Sequence, residues 1–351
     1  MHAVALVGVE TGAGHLLAEV GGGMFLREKR QREHAEEREE SYSHCYGDYR
    51  KRFGKELPPT AMIHWPCMRF VTFQHHGHQH AGVVSGEDIV SLKSAGLPDM
   101  FAVLKGGHGV FRRIEEFLGN PPAEAMVPLG SVKLCAPIPK PAKIVCVGLN
   151  YRDHAIESKM EIPTRPTIFS KYNNTVIGAG DEIVLPKNSE KPDYEAEFAF
   201  VIGKGGRHIR KEDWRAHVFG YMNLNDVSAR DVQLAVSQWT MGKSFDTFAP
   251  MGPYLVSADE IADPHNLDIS LTVNGETLQH SNTRELIFKI PELIEFLSGV
   301  MTLEAGDVVS TGTPSGVGFS YNPPKWLKPG DLVVVKVEGL GELHNRCVAE
   351  V

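Results

Sequence analysis

The stretch Asp193-Tyr194-Glu195-Ala196-Glu197-Phe198-Ala199-Phe200-Val201-Ile202 constrains this chain most. Its second half has the apolar, aromatic and β-branched content of a buried strand. Side chains on a strand alternate between faces, so Glu195 and Glu197 are expected on one face and Tyr194, Ala196 and Phe198 on the other. Two like charges leading into apolar sequence repel unless something positive lies between them. A hard divalent cation meets that need, because Mg²⁺ and Ca²⁺ select carboxylate oxygen. A solvated strand edge, where Glu is common, is the competing explanation.

The 351 residues are enough for one large domain or two modest ones. A net charge of −8 argues against nucleic acid as the main partner. Cys45, Cys67, Cys135, Cys146 and Cys347 are scattered without CxxC spacing, which fits a reducing compartment rather than a zinc site or a disulfide framework. No apolar run reaches the roughly 18 residues needed to span a bilayer. The expectation is a soluble cytoplasmic protein without a membrane partner.

Residues 1–67 differ from the rest of the chain. Gly21-Gly22-Gly23 precedes a mixed-charge tract from Arg27 to Glu40 with no sustained apolar stripe. This part reads as a weakly ordered or helical N-terminal extension, too acidic for a transit peptide. Met68 begins a cleaner pattern and is a candidate for the original start. Residues 68–140 read as a small β-rich domain: strands at Arg69–Phe73, His80–Val84 and Ile89–Leu92, then a helix over Met100–Phe117. The first turn carries His75, His76, His78 and His80, either a metal-binding tract or incidental histidines at a hairpin tip. Pro137-Ile138-Pro139-Lys140-Pro141 reads as the linker into a main domain at 141–351.

In that domain a strand at Lys143–Val147 runs into Gly148-Leu149-Asn150-Tyr151-Arg152-Asp153-His154-Ala155-Ile156-Glu157. If this segment is helical, His154 and Glu157 share a face. A carboxylate beside an imidazole orients the ring, which suits a general base, although an ordinary surface pair has the same spacing. Further strands are expected at Thr167–Lys171, Phe219–Asp226, Asp307–Thr311 and Asp331–Val337, the last closing the sheet structure. Asn274-Gly275 between two strand-like runs is a hairpin signal, and a helix is expected from Ile290. Asp226 is a plausible third metal ligand. A helix over Val227–Ser237 would carry Arg230 and Gln233. Gly242-Lys243-Ser244 echoes a phosphate-binding loop, but the earlier glycine is replaced by Ser237 and no strand leads into it, so an NTPase is rejected. Lys243 lies in apolar sequence and must find a negative partner. Gly312-Thr313-Pro314-Ser315-Gly316-Val317-Gly318 would let a ligand approach backbone amides. Many strands, few long helices and no βαβ rhythm indicate a β-rich α+β fold.

Five motifs in order resemble the fumarylacetoacetate hydrolase family over about Lys143 to Val351. They are Gly148-x-Asn150-Tyr151-x-Asp153-His154, Tyr194-Glu195-x-Glu197, Asn225-Asp226-Val227-Ser228-Ala229-Arg230-Asp231, Gly242-Lys243-Ser244-Phe245-Asp246, and Thr311-Gly312-Thr313-Pro314-x-Gly316-Val317-Gly318. In detail the chain looks most like the branch named fumarylacetoacetate hydrolase domain-containing protein two. The resemblance implies a mixed β-roll or barrel catalytic domain, usually a homodimer. It implies Mg²⁺, with Mn²⁺ or Ca²⁺ as alternatives, held by Glu195, Glu197 and Asp226. It assigns substrate binding to Arg230, Gln233, Lys243 and Thr313, and catalysis to His154 and Glu157 with Lys243. Where the name-giving enzyme has an additional acidic ligand upstream of the histidine, this chain has Val147, which favours smaller 2-oxo acids.

The chemistry implied is a metal-stabilised enolate, with three outcomes: oxaloacetate keto–enol tautomerisation, acylpyruvate-type C–C hydrolysis, or oxaloacetate decarboxylation. A 2-hydroxy-dienedioate isomerase of aromatic degradation is a related alternative. A non-catalytic dicarboxylate-binding module would lack the dyad, and both dyad residues are present. An oxygen-using facial triad needs two histidines and one carboxylate, and the expected site supplies three carboxylates.

Overall fold

The computed structural model describes residues 68–351. The N-terminal extension expected at 1–67 lies outside them. The fold grows from the strand Ala196–Ile202, in which every residue is buried. Tyr194, Ala196, Phe198, Phe200 and Ile202 enter one core cluster with Tyr221, Ile269, Leu271, Val333, Val335 and Leu343. Ala199 and Val201 enter a second cluster with Phe70, Phe111, Phe219, Met222 and Leu255. One strand thus feeds two cores by its period of two. Each large side chain so buried contributes about 1.5–3 kcal/mol.

Among the described residues the main sheet has twelve strands. Ala196–Ile202 pairs antiparallel with Val218–Asn225 on one side and Val308–Ser310 on the other. Val308–Ser310 then pairs in parallel with Ile144–Gly148, which pairs with Thr167–Lys171. On the far side Val218–Asn225 pairs with Ala249–Ser257, and that strand with Arg69–His75. Strands from both sides of the proline-rich segment therefore share one sheet. A second, five-stranded sheet runs in the order Glu276–Asn282, Asp268–Val273, Leu332–Val337, Glu342–Ala349, Glu182–Leu185. Its Asn274-Gly275 turn has φ of 52° and 84°, as the expected hairpin requires.

Four expectations are corrected. The helix expected over Met100–Phe117 is two helices, Met100–Lys105 and Gly107–Gly119, parted where Gly107 takes φ 58°. The helix expected over Val227–Ser237 is a short bridge, Ser228–Ala229, followed by a single turn, Arg230–Gln233. The buried side chains of Ser228 and Arg230 take partners from residues 193–195 instead. Glu195 lies just before the strand rather than in it. Leu332–Val337 is not the last strand, because Glu342–Ala349 comes after it and pairs in parallel with Glu182–Leu185.

The motif residue Asn150 is fully buried and clips three segments together. Its Nδ2 donates to the carbonyls of Phe288 (2.9 Å) and Thr311 (2.8 Å), and its Oδ1 accepts from Phe288 N (2.8 Å). Gly312 stands against it with φ 98°, where an added Cβ would lie 2.8 Å from the Val147 carbonyl oxygen. This position requires glycine. Asn150→Ala orphans two carbonyls and an amide, so denaturant unfolding should show a loss of about 3 kcal/mol. A variant as stable as wild type would mean the clip is dispensable.

Candidate active site

The structure brings Glu195, Glu197 and Asp226 together, each buried, with one carboxylate oxygen from each within 4.8 Å of the others. The adjacent strands Ala196–Ile202 and Val218–Asn225 place them, since Ala196 pairs with Asn225. The Asn225 side chain accepts from Glu195 N at 3.0 Å, and Asp226 N donates to the Glu195 carbonyl at 3.0 Å.

Buried cations surround this group. Lys243 Nζ lies 2.9 Å from Glu195 Oε2 and 2.7 Å from Asp226 Oδ2. Lys171 Nζ lies 2.5 Å from Asp226 Oδ1 and donates to the Val227 carbonyl at 3.1 Å. Arg230 Nη1 reaches Glu195 Oε1 at 2.6 Å, and its Nε donates to Asp193 Oδ2 at 2.8 Å. Burial opposes ionisation of Glu195, but Lys243 and Arg230 outweigh it and hold its carboxyl at about 2. Glu197 goes the other way: burial, then the charges of Asp226 and Glu195, push its carboxyl well above the usual range. Its Oε2 accepts from Gly312 N at 2.9 Å and from the Ser310 hydroxyl. Burial lowers the Lys171 ammonium against the pull of Asp226, whereas Asp226 and Glu195 raise Lys243 despite burial.

Once Glu197 is ionised, as a bound cation would leave it, four carboxylates (Asp193, Glu195, Glu197, Asp226) face three cations (Lys171, Lys243, Arg230), one negative charge in excess. A buried like-charge group of this kind is stabilised by a further cation. An all-oxygen donor set suits a hard divalent ion. The residues present therefore fit a divalent metal. A bound M²⁺ would turn the net charge from −1 to +1, which favours an anionic substrate.

The expected dyad forms. On the helix Arg152–Glu157, His154 Nδ1 lies 3.2 Å from Glu157 Oε2. Glu157 Oε1 accepts from Gly316 N at 3.0 Å, tying the dyad to the glycine-rich loop. The helix is anchored at its start, where Ser281 Oγ donates to Asp153 Oδ2 at 2.5 Å and Arg152 Nη1 to the Leu286 carbonyl at 3.1 Å. Burial pushes the Glu157 carboxyl up, but hydrogen bonds from His154, Gly316 N and Ser320 outweigh it and hold it below its ordinary value. The same glycine-rich loop bonds Glu197 through Gly312 N and Glu157 through Gly316 N, which ties the dyad to the triad.

Gln233 accepts from Arg230 Nη1 at 2.9 Å, and Thr313 Oγ1 accepts from Gln279 Nε2 at 2.9 Å. Sequence reasoning missed four contributors. Lys171 is a charged residue ending an otherwise ordinary strand. Asp193 is buried and receives Gly318 N (2.7 Å) and Phe319 N (3.1 Å) besides Arg230. Ser310 holds Glu197. Gln279 links Ala196 N, accepted at 2.8 Å, to Thr313 and so joins the acidic strand to the glycine-rich loop. For Lys171 the sequence carries a single signal, the one charged residue of the strand Thr167–Lys171, whereas Gln279 lies in the mostly polar strand Glu276–Asn282 and carries none.

Removing one carboxylate should weaken metal binding by about 100-fold or more, since losing only a hydrogen-bond partner of a ligand costs about 10–100-fold. Titration calorimetry of Glu197→Gln with Mn²⁺ checks this, and wild-type affinity would place the ion elsewhere. The depressed Glu157 carboxyl stabilises its segment above the ordinary carboxylate range, and that contribution is lost as pH falls through the depressed value. Amide exchange in Arg152–Glu157 should rise on acidification in the wild type. In Glu157→Gln it should be raised already and respond less to pH.

The family profile described as fumarylacetoacetate (FAA) hydrolase C-terminal matches residues 143–348. The chain is 43% identical over 293 residues to the rat protein named oxaloacetate tautomerase Fahd2a, mitochondrial, covering 81% of this chain and 93% of that one. It is 48% identical over 242 residues to the oxaloacetate tautomerase YisK of Bacillus subtilis, covering 67% and 80%. Among solved structures it resembles maleylpyruvate hydrolase from Sphingobium sp. SYK-6 in complex with manganese(II) and pyruvate, with TM-score 0.70, 32% identity and coverage of 81% and 100%. Profile, relatives and fold agree with the five ordered motifs, and the chain is an enzyme of the fumarylacetoacetate hydrolase family, in the branch of fumarylacetoacetate hydrolase domain-containing protein two.

Proposed function

We propose that this enzyme is a Mg²⁺-dependent oxaloacetate keto–enol tautomerase. The observation that carries the reading is the His154–Glu157 pair tied by the glycine-rich loop to a buried carboxylate triad that Arg230 and Lys243 contact. Relatives named oxaloacetate tautomerase support the choice of substrate. Glu195, Glu197 and Asp226 would hold the divalent ion, which when bound supplies Lewis-acid polarisation of the 2-oxo group.

The chain's own residues supply the rest. Arg230, whose Nε and Nη1 are held by Asp193, Gln233 and Glu195, offers its Nη2 to the substrate carboxylate, and Thr313 offers its hydroxyl. Lys243 stands where negative charge develops on the oxygen at C2. His154, oriented by Glu157, removes a proton from C3, and the proton balance closes when the oxygen at C2 is protonated. Glu157 keeps the imidazole in place through its second bond to Gly316 N.

A second reading is acylpyruvate-type C–C hydrolysis, favoured by the likeness to maleylpyruvate hydrolase. It needs water admitted beside His154, whereas tautomerisation needs water kept out. Exposed Leu234, Val236 and Met241, 56%, 59% and 67% accessible, support assembly as a homodimer. The free thiols of Cys135, Cys146 and Cys347 support a reducing compartment. The cytoplasm is our assignment; the mitochondrion, which the rat relative's name carries, is the alternative, and subcellular fractionation decides between them.

The test is an assay panel with Mg²⁺: oxaloacetate enol–keto exchange followed by enol absorbance, oxaloacetate decarboxylation, and acylpyruvate cleavage. Exchange should dominate, vanish with chelator and return with Mg²⁺. His154→Ala should lower kcat about 10²–10⁴-fold. Dominant acylpyruvate cleavage would favour the second reading, and an unaffected His154→Ala enzyme would remove the dyad from the chemistry.

A further inference from the structure

The histidine tract of the first hairpin takes no part in the site above. Arg69–His75 and His78–Ser85 pair antiparallel through a two-residue turn, His76-Gly77, with φ of 48° and 79°. The register sets Phe73 opposite His80 and His75 opposite His78. Residues opposite one another share a face, as do residues two apart on one strand. Phe73, His75, His78 and His80 therefore lie on one face, and Gln74 and Gln79 on the other.

That face has a built floor. Phe73 is fully buried, and its ring centre lies 6.3 Å from the His75 ring and 5.9 Å from the His80 ring. The rings of His78 and His80 are 6.4 Å apart. His80 Nδ1 is buried and makes no hydrogen bond of ordinary geometry, a cost that a bound cation would remove. Burial keeps the His80 imidazole below its usual value, and the charges of Lys93, His75 and His78 act in the same direction, against a backbone contact with His75. This favours the neutral ring, the form that ligates metal.

We propose that His75, His78 and His80 form a second cation site, selective for a borderline divalent ion of the Zn²⁺ class. Imidazole nitrogen suits Zn²⁺, Ni²⁺ and Cu²⁺, whereas the all-carboxylate triad suits Mg²⁺ and Mn²⁺. The two sites therefore differ in ligand chemistry. Among the described residues only the carboxylate triad already brings three ligand atoms within 4.8 Å. At the hairpin the imidazoles must rotate to converge. His78 is exposed and turns on the picosecond-to-nanosecond scale, while His75, half-buried with its ring 3.9 Å from that of His76, must leave that contact. The backbone register supplies the pre-organisation, and rotation about χ1 and χ2 completes it.

The experiment titrates the full chain with Zn²⁺ in excess Mg²⁺, comparing wild type with His75→Gln/His78→Gln and with the control His344→Gln, an exposed histidine elsewhere. Wild type and control should bind one more Zn²⁺ than the double variant, with nitrogen ligation by X-ray absorption. Each single variant, His75→Gln or His78→Gln, should weaken that binding by about tenfold or more. Mg²⁺-dependent turnover should be the same in all variants, which reports that each is folded. Equal Zn²⁺ stoichiometry and affinity in wild type and double variant would overturn the proposal, as would an added Zn²⁺ held only by oxygen.

Discussion

Three carboxylates buried within 4.8 Å of one another repel strongly, and the rest of this structure is arranged to hold them there. The compensating cations come from three separate places: Lys171 from the end of Thr167–Lys171, Arg230 and Lys243 from two short helical turns, Arg230–Gln233 and Thr240–Lys243. None of these elements would be placed by its own propensity. A buried ion pair is weak evidence for stability, because desolvation offsets much of the attraction. Seven charged groups gathered in one interior are therefore better explained by chemistry than by folding. The raised Glu197 and the lowered Glu195 carboxyls express the same imbalance, with cations close to one and acids close to the other.

The sheets make that arrangement rigid. The acidic strand sits centrally, flanked by Val218–Asn225 and Val308–Ser310, so the positions of Glu197 and Asp226 come from strand register. The two sheets are joined through Gln279 of the second, which accepts from Ala196 N, and through Asn223 of the first, whose Oδ1 accepts from Val337 N at 2.7 Å. These amides cross between layers where apolar side chains could only pack.

Much of this is legible in the sequence where a local rule carries it. Apolar and aromatic content identifies the central strand and Asn274-Gly275 a hairpin, whereas the His154–Glu157 spacing also fits a surface pair and only the family resemblance marks it as a dyad. The ordered motifs place the triad, although Glu195 and Asp226 are far apart in the chain. The illegible part depends on partners distant in sequence. Val227–Ser237 has helical spacing, but Ser228 and Arg230 are committed to Asp226, Asp193 and Glu195, and the backbone conforms to those bonds. Lys171 resembles an ordinary strand end because nothing nearby announces that Asp226 faces it. Asp193 resembles part of the acidic run, yet it serves Arg230 and the amides of Gly318 and Phe319.

Gln279 has a consequence for how such a scaffold can diversify. By bonding Ala196 N and Thr313 together it welds the acidic wall to the glycine-rich wall. Neither wall can be reshaped without breaking the other. Beside the dyad, residues 158–166 carry no helix or strand, and Met160 and Ile162 stand exposed in them. New substrate preferences in proteins of this build are thus most readily explored by rewriting that one segment, with the charged interior left untouched.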